Sequence, residues 1–138
     1  MKVALIVPCY NEQEALPIFY EEVMRVMKEM NCQYELIFVN DGSKDNTLSI
    51  LKDFAAKNEN VTYISFSRNF GKEAAMYAGF SNANADYVAV MDADMQDPPA
   101  LLPQMVKILE TEDYDSVATR PRIYCLFAAV HSTASRRK

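Results

Sequence analysis

The run VALIV (residues 3–7) places five apolar side chains in succession with no polar break. A strand with one wet face alternates apolar and polar residues, so an unbroken run fits a strand covered on both faces, as at the centre of a parallel sheet. The chain downstream repeats that implication. Leu16, Phe19, Val23, Val26, Met27 and Met30 recur at helical spacing, which predicts an amphipathic helix. Pro17 fits only its first turn, so the helix starts near residue 15. YELIFVN (34–40) predicts a second strand, and Asp45 is placed to cap a helix through TLSILKDFAAK. VTYISFS (61–67) predicts a third strand, followed by a helix over 71–83. DYVAVMD (86–92) predicts a fourth, a helix through LLPQMVKILET follows, and DSVATR (115–120) predicts a fifth.

Alternation of strand and helix is the pattern of an α/β domain with an open, mostly parallel sheet flanked by helices. At 138 residues the chain suits one such domain, large enough to bury about two-thirds of its unfolded surface. Right-handed crossovers bring the carboxyl ends of parallel strands to one edge, and ligands bind in the crevice there. The polar clusters fall at that edge: PCYNE, NDGSKD, SRNFGK, DADMQD and TR follow the successive strands. Five connections directing polar residues at one edge predict the site.

The composition of the clusters narrows the ligand. No GxGxxG follows the first strand and no GxxxxGK[ST] occurs, which argues against a dinucleotide fold and a P-loop. Only Gly42, Gly71 and Gly79 are present, so phosphate would be held by a metal and side-chain cations rather than by a glycine-rich cradle. Asp92 and Asp94 stand two residues apart at the end of an apolar strand, where their charges repel unless a cation offsets them. Mg²⁺ or Mn²⁺ takes one or two carboxylates and completes its shell with phosphate oxygens and water. Arg68, Lys72 and Arg120 are the cations at the same edge. A phosphatase with a DxD nucleophile is disfavoured, because that chemistry wants its pair after the first strand and here it follows the fourth. The net charge of −5 argues against nucleic acid as a partner. Cys9, Cys32 and Cys125 are odd in number and widely spaced, so they read as free thiols of a reducing cytoplasm. The N-terminal apolar run stops at Pro8, too early for a signal peptide, and no run reaches the ~18 apolar residues of a membrane span. No feature specifies an oligomeric state.

Taken singly, an Asp-Gly turn or an acidic pair at a helix entrance is ordinary. In order and spacing, however, VPCYNE, VNDGSKDNT, SRNFGKEAAMYAGF and MDADMQDPP resemble the family-2 glycosyltransferases of GT-A fold. The branch resembled most looks like the bacterial polyprenyl-phosphate glycosyltransferases, relatives of dolichyl-phosphate mannose synthase. The resemblance covers residues 2–120, the nucleotide-sugar-binding half of such an enzyme. It implies that Pro8, Tyr10 and Glu12 line a nucleoside pocket and that Asp41 accepts a hydrogen bond from base or ribose. It implies a metal and diphosphate site at Asp92 and Asp94, with Gln96 a further ligand in the metal region. Arg120 would lie near the diphosphate, and Arg68 and Lys72 belong to a motif shared with the bacterial branch. The implied reaction is transfer of sugar from a UDP- or GDP-sugar, with inversion, to a polyprenyl phosphate at the cytoplasmic side of a cell envelope.

Beyond Arg120 the resemblance stops. PRIYCLFAAVHSTASRRK has four basic residues and no acidic one, so the tail carries +4; subtracting from 14 basic and 19 acidic residues leaves 10 and 19, or −9, for residues 1–120. This predicts a nucleotide-sugar-binding domain over 1–120 and an atypical basic tail over 121–138, as a truncation or shifted reading frame would produce. No catalytic base is identified. The alternative to a transferase is therefore a nucleotide-sugar-binding fragment without turnover, and the last edge of the sheet is expected to be incompletely covered.

Overall fold

A computed structural model describes residues 1–96, 98–114, 116–118 and 129–132. The elements are β1 (Lys2–Cys9), α1 (Leu16–Met30), β2 (Gln33–Asn40), α2 (Thr47–Lys57), β3 (Val61–Ser65), α3 (Lys72–Asn82), β4 (Tyr87–Val90), α4 (Leu102–Thr111), β5 (Ser116–Ala118) and β6 (Ala129–Ser132). A 3-10 turn, Pro99–Leu101, leads into α4. The sheet order is β3-β2-β1-β4-β6-β5. β1 lies at the centre of a parallel four-stranded block, paired with β2 from Lys2↔Gln33 to Cys9↔Asn40 and with β4 from Val3↔Tyr87 to Ile6↔Val90. β3 pairs parallel to β2.

The second half of the sheet departs from the simple succession. β6 is antiparallel to both β4 and β5, so β5 runs in the direction of β1 to β4 but does not touch them. The fifth strand was expected; the strand wedged beside β4 was not. β6 falls within the segment expected to be atypical, and its four-residue pairing with β4 covers the outer edge of that strand. Residues 119–128 and 133–138, Arg120 among them, lie outside the described residues.

Alternation along β1 assigns the two faces of the sheet. Val3, Leu5 and Val7 join the main core with Leu16, Phe19, Val23 and Val26 of α1, Leu51 of α2, and Leu102, Met105 and Val106 of α4. Ala4 and Ile6 face the other way, with Val88 and Val90, toward Met76 of α3. That second layer is thin because α3 lies close. A Cβ at Gly79 would stand 2.3 Å from Cγ2 of Ile6, so the helix can lie this close to β1 only because residue 79 has no side chain. Phe19 and Phe38 are fully buried and meet edge to face at 6.5 Å; each such side chain contributes ~1.5–3 kcal/mol by leaving water.

Local chemistry sets the element ends. Pro17 falls in the first turn of α1 and left-handed Asn31 closes it, its N–H bonded to the Met27 carbonyl. Asn46 stands at the entrance of α2, yet Asp45 does the capping: its Oδ1 accepts the Thr47 N–H at 2.9 Å. β3 and β4 are shorter than expected because the chain leaves the ladder to form the connections at the carboxyl edge.

Candidate functional site

Four connections meet at that edge: residues 10–15 after β1, 41–46 after β2, 66–71 after β3 and 91–96 after β4. The first two are laced together. Asn11, at φ 52°, accepts the Lys44 N–H at 2.8 Å and donates its own N–H to Ser43 Oγ at 2.9 Å. The Glu12 N–H donates to the hydroxyl of fully buried Thr47 at 2.9 Å, and Gln13 accepts the Asn46 N–H at 3.1 Å. The Thr47 hydroxyl in turn donates to Asp45. Burial opposes ionisation of Asp45, but the Thr47 hydroxyl and amide and the Gln13 amide outweigh it and hold the carboxyl below its usual range.

The second and third connections are joined through Asp41, which is 4 % exposed. Its Oδ1 accepts the Phe70 N–H at 2.8 Å and its Oδ2 the Gly71 N–H at 3.1 Å, while its carbonyl accepts the Asn69 side-chain amide at 3.2 Å. Two backbone N–H donors on one carboxylate form a strong charge-assisted brace at the entrance of α3. Gly42 makes the close approach possible. It sits at φ +70°, and a Cβ there would meet the Arg68 carbonyl carbon at 2.3 Å. Buried Asn40 holds both sides, donating to Ser65 Oγ and accepting the Ser43 N–H.

Between the connections lies a cavity of about 140 Å³ lined by Pro8, Cys9, Tyr10, Glu12, Asp41, Lys72 and Asp92. Small-molecule sites typically run to ~300–1,000 Å³, so this cavity has room for one moiety of a larger ligand. A larger cavity of about 390 Å³, among Lys2, Glu35 and Asn60 at the opposite edge of the sheet, collects none of the motif residues.

Six of the residues expected at the site therefore come together: Pro8, Tyr10, Glu12, Asp41, Lys72 and Asp92. Asp94 and Gln96 are exposed beside them, in a turn where the Gln96 N–H donates to Asp94 Oδ1 at 3.2 Å and Met95 takes φ 65°. Arg68 is not among the lining residues. Its guanidinium lies over the Phe70 ring, 4.3 Å from the centroid. Arg120 lies outside the described residues.

Sequence reasoning missed Cys9, read as an ordinary thiol, and the bracing set of Asn11, Asn40, Ser43 and Thr47. For Asn11, Ser43 and Thr47 the signal was the polar runs NEQE and SKDNT, which do not reveal who bonds to whom. Burial, with Glu12 and Asp92 nearby, pushes the Cys9 thiol up, which disfavours the thiolate.

The electrostatics of the cavity are set by Glu12, Asp92, Asp94 and Lys72. Burial raises the pKa of Glu12, and the charges of Asp94, Asp92 and Asp45 raise it further. The Lys72 ammonium stands 2.8 Å from Asp92 Oδ1. Among the described residues no three His, Cys, Asp or Glu side chains assemble into a metal cage. The donor set of two carboxylates at Asp92 and Asp94 with the Gln96 amide oxygen is nonetheless all hard oxygen. That suits Mg²⁺ or Mn²⁺, which fill their remaining positions with phosphate and water.

A mostly parallel sheet with helices on both faces and polar connections gathered at its carboxyl edge is the architecture of a GT-A-type fold. The mannosyltransferase PcManGT of Pyrobaculum calidifontis, solved with GDP-mannose and Mn²⁺, shares this fold with a TM-score of 0.78 at 22% identity, over 94% of this chain and 44% of its own. The sequence profile described as Glycosyl transferase family 2 matches residues 4–129. The chain belongs to the family-2 glycosyltransferases. CsbB of Bacillus subtilis, a glycosyltransferase by name, is 47% identical over 115 residues, or 83% of this chain and 35% of its own length. The undecaprenyl-phosphate 4-deoxy-4-formamido-L-arabinose transferase of Proteus mirabilis is 43% identical over 122 residues, 88% of this chain and 37% of its own. The chain thus spans about a third of the length of these relatives. Among the described residues no helix is long and apolar enough to cross a membrane.

Proposed function

We propose that this chain is the donor-binding half of a polyprenyl-phosphate glycosyltransferase. It takes a UDP- or GDP-sugar with a divalent metal ion and delivers the sugar, with inversion, to a polyprenyl phosphate at the cytoplasmic face of a membrane. The observation that carries this reading is the convergence of Tyr10 and Glu12, Asp41, Lys72 and Asp92 from four separate connections on one cavity. The acceptor class follows the name of the Proteus mirabilis relative, and the donor class follows the PcManGT complex.

Each residue has a task its chemistry suits. The half-exposed Tyr10 ring packs on base or ribose, and Glu12 accepts ribose hydroxyls. Asp41 has both oxygens bonded to backbone, so it shapes the nucleoside wall and lends its remaining lone pairs to the ligand. Lys72 offsets the negative charge of the diphosphate, and Arg120 and Arg68 stand as further cations of the motif set. Asp92 and Asp94, with Gln96, would hold Mg²⁺ or Mn²⁺, whose Lewis acidity would stabilise charge developing on the departing diphosphate. In the transfer, a phosphate oxygen of the acceptor attacks the anomeric carbon as the bond from that carbon to the diphosphate oxygen breaks. The acceptor phosphate is already anionic near neutrality, so it needs little help from a base.

Calorimetric titration of UDP and GDP, with and without Mn²⁺, into the chain and into Asp94→Ala tests the donor site. Metal-dependent binding of one nucleotide, lost in the variant, is the expected result; a folded chain that binds neither would sink the reading. The second reading is donor binding by this chain without turnover, since the residues gathered at the cavity match donor motifs only. Formation of glycosylated polyprenyl phosphate from the bound donor separates the two.

A further inference from the structure

The Lys72 ammonium lies 2.8 Å from Asp92 Oδ1 and 2.9 Å from Oδ2. One cation therefore covers both oxygens of a carboxylate placed at the end of β4. The position is built by the fold rather than reached by chance. Lys72 is the first residue of α3, it follows Gly71 at φ 102°, and the two residues before it are pinned by the Asp41 carboxylate. The ammonium is nevertheless on the open side: the Lys72 side chain is 41% exposed and that of Asp92 19%. A four-carbon stem lets it move without any change in the backbone. A second cation on Asp92 would repel it, whereas a diphosphate in the same cavity would attract both.

We propose that Lys72 is an exchangeable counter-ion of the donor site. It holds Asp92 while no donor is bound, yields that carboxylate to the divalent ion, and moves onto the phosphates of the arriving donor. The inference rests on the donor-binding reading above and adds a coupling to it. The ammonium weakens binding of metal alone and favours metal together with nucleoside diphosphate, so each ligand raises the affinity of the other by the same factor. Lys72 thereby keeps the acidic cluster from retaining metal without donor.

Mn²⁺ binding, followed by electron paramagnetic resonance of the free ion, tests this in the wild-type chain, Lys72→Met and Lys72→Arg. Each is titrated with Mn²⁺ alone and then in the presence of UDP or GDP. Lys72→Met is expected to bind Mn²⁺ alone about tenfold more tightly, with the gain from nucleotide reduced by a similar factor. Lys72→Arg, which keeps a cation, should bind Mn²⁺ alone no more tightly than wild type. Unchanged or weaker Mn²⁺ binding by Lys72→Met overturns the exchange, provided its circular dichroism matches wild type and wild type binds nucleotide with metal. The donor site would survive that result. A wild-type chain that binds neither UDP nor GDP with Mn²⁺ removes the donor site and the exchange together.

Discussion

Replacing Gly42 by alanine asks how firmly the second and third connections are clamped. Gly42 stands at φ +70°, and the left-handed region costs a residue with a Cβ ~1–2 kcal/mol. Space adds to this. The new Cβ would lie 2.3 Å from the Arg68 carbonyl carbon, 2.4 Å from the Asn69 nitrogen and 2.8 Å from the Arg68 Cα. All three are backbone atoms, so no rotamer change relieves the overlap, and the segment that must move is tied to Asp41 through Phe70 and Gly71. Overpacking of this kind costs ~1–3 kcal/mol, which brings the total to about 2–5 kcal/mol of the ~5–15 kcal/mol that stabilises a typical domain. With a mid-range urea slope of ~2 kcal/mol per molar, the midpoint followed by circular dichroism should fall by roughly 1–2.5 M. Displacing the loop also draws Lys72 from Asp92, so metal-dependent nucleotide binding should weaken alongside. A Gly42→Ala chain within ~0.5 kcal/mol of wild type, with unaltered nucleotide affinity, would refute the clamp. Gly79→Ala is the control, because its obstruction is the Ile6 side chain; it should lose stability and spare nucleotide binding.

Two further substitutions probe acids that line the cavity. Asp41→Asn turns one acceptor toward the Phe70 and Gly71 amides into a donor, leaving a buried N–H unpaired; a loss of ~1–3 kcal/mol in urea unfolding is expected, and no loss would show that the carboxylate is not the brace. Burial raises the folded pKa of Glu12 above its ordinary value, and the charges of Asp94, Asp92 and Asp45 raise it further. The folded state thus holds the proton more tightly, and the stability this lends is full below the unfolded pKa and lost as pH rises through the folded one. Glu12→Gln should therefore unfold at higher urea than wild type at pH 7, with the advantage gone at pH 4; an advantage that grows on acidification would contradict the sign.

Much of the site could be read from local sequence because parallel α/β topology converts order along the chain into position in space. Once VALIV and YVAV are strands joined by helices, Tyr10, Asp41, Lys72 and Asp92 must fall at one edge, and they do. Arg68 shows where that logic ends. It has the right place in the chain, but the exposed Phe70 ring offers its guanidinium a face, and no spacing rule announces that choice. Asp41 is similar: the Asp-Gly pair reads as a turn, while the fold commits the carboxylate to two amides 29 and 30 residues away.

By itself, then, the chain's pattern determined a strand–helix alternation, a doubly covered central strand and the edge at which the polar clusters gather, since each depends on periodicity within a few residues. Tertiary structure alone decided the β3-β2-β1-β4-β6-β5 order, the antiparallel wedge of β6 and the seating of Lys72 on Asp92. Those depend on hydrogen bonds and ion pairs between different elements, from Ala118↔Ala129 to Lys72–Asp92 and beyond, whose partners are selected only when the whole sheet has closed and the backbone groups around them have been satisfied.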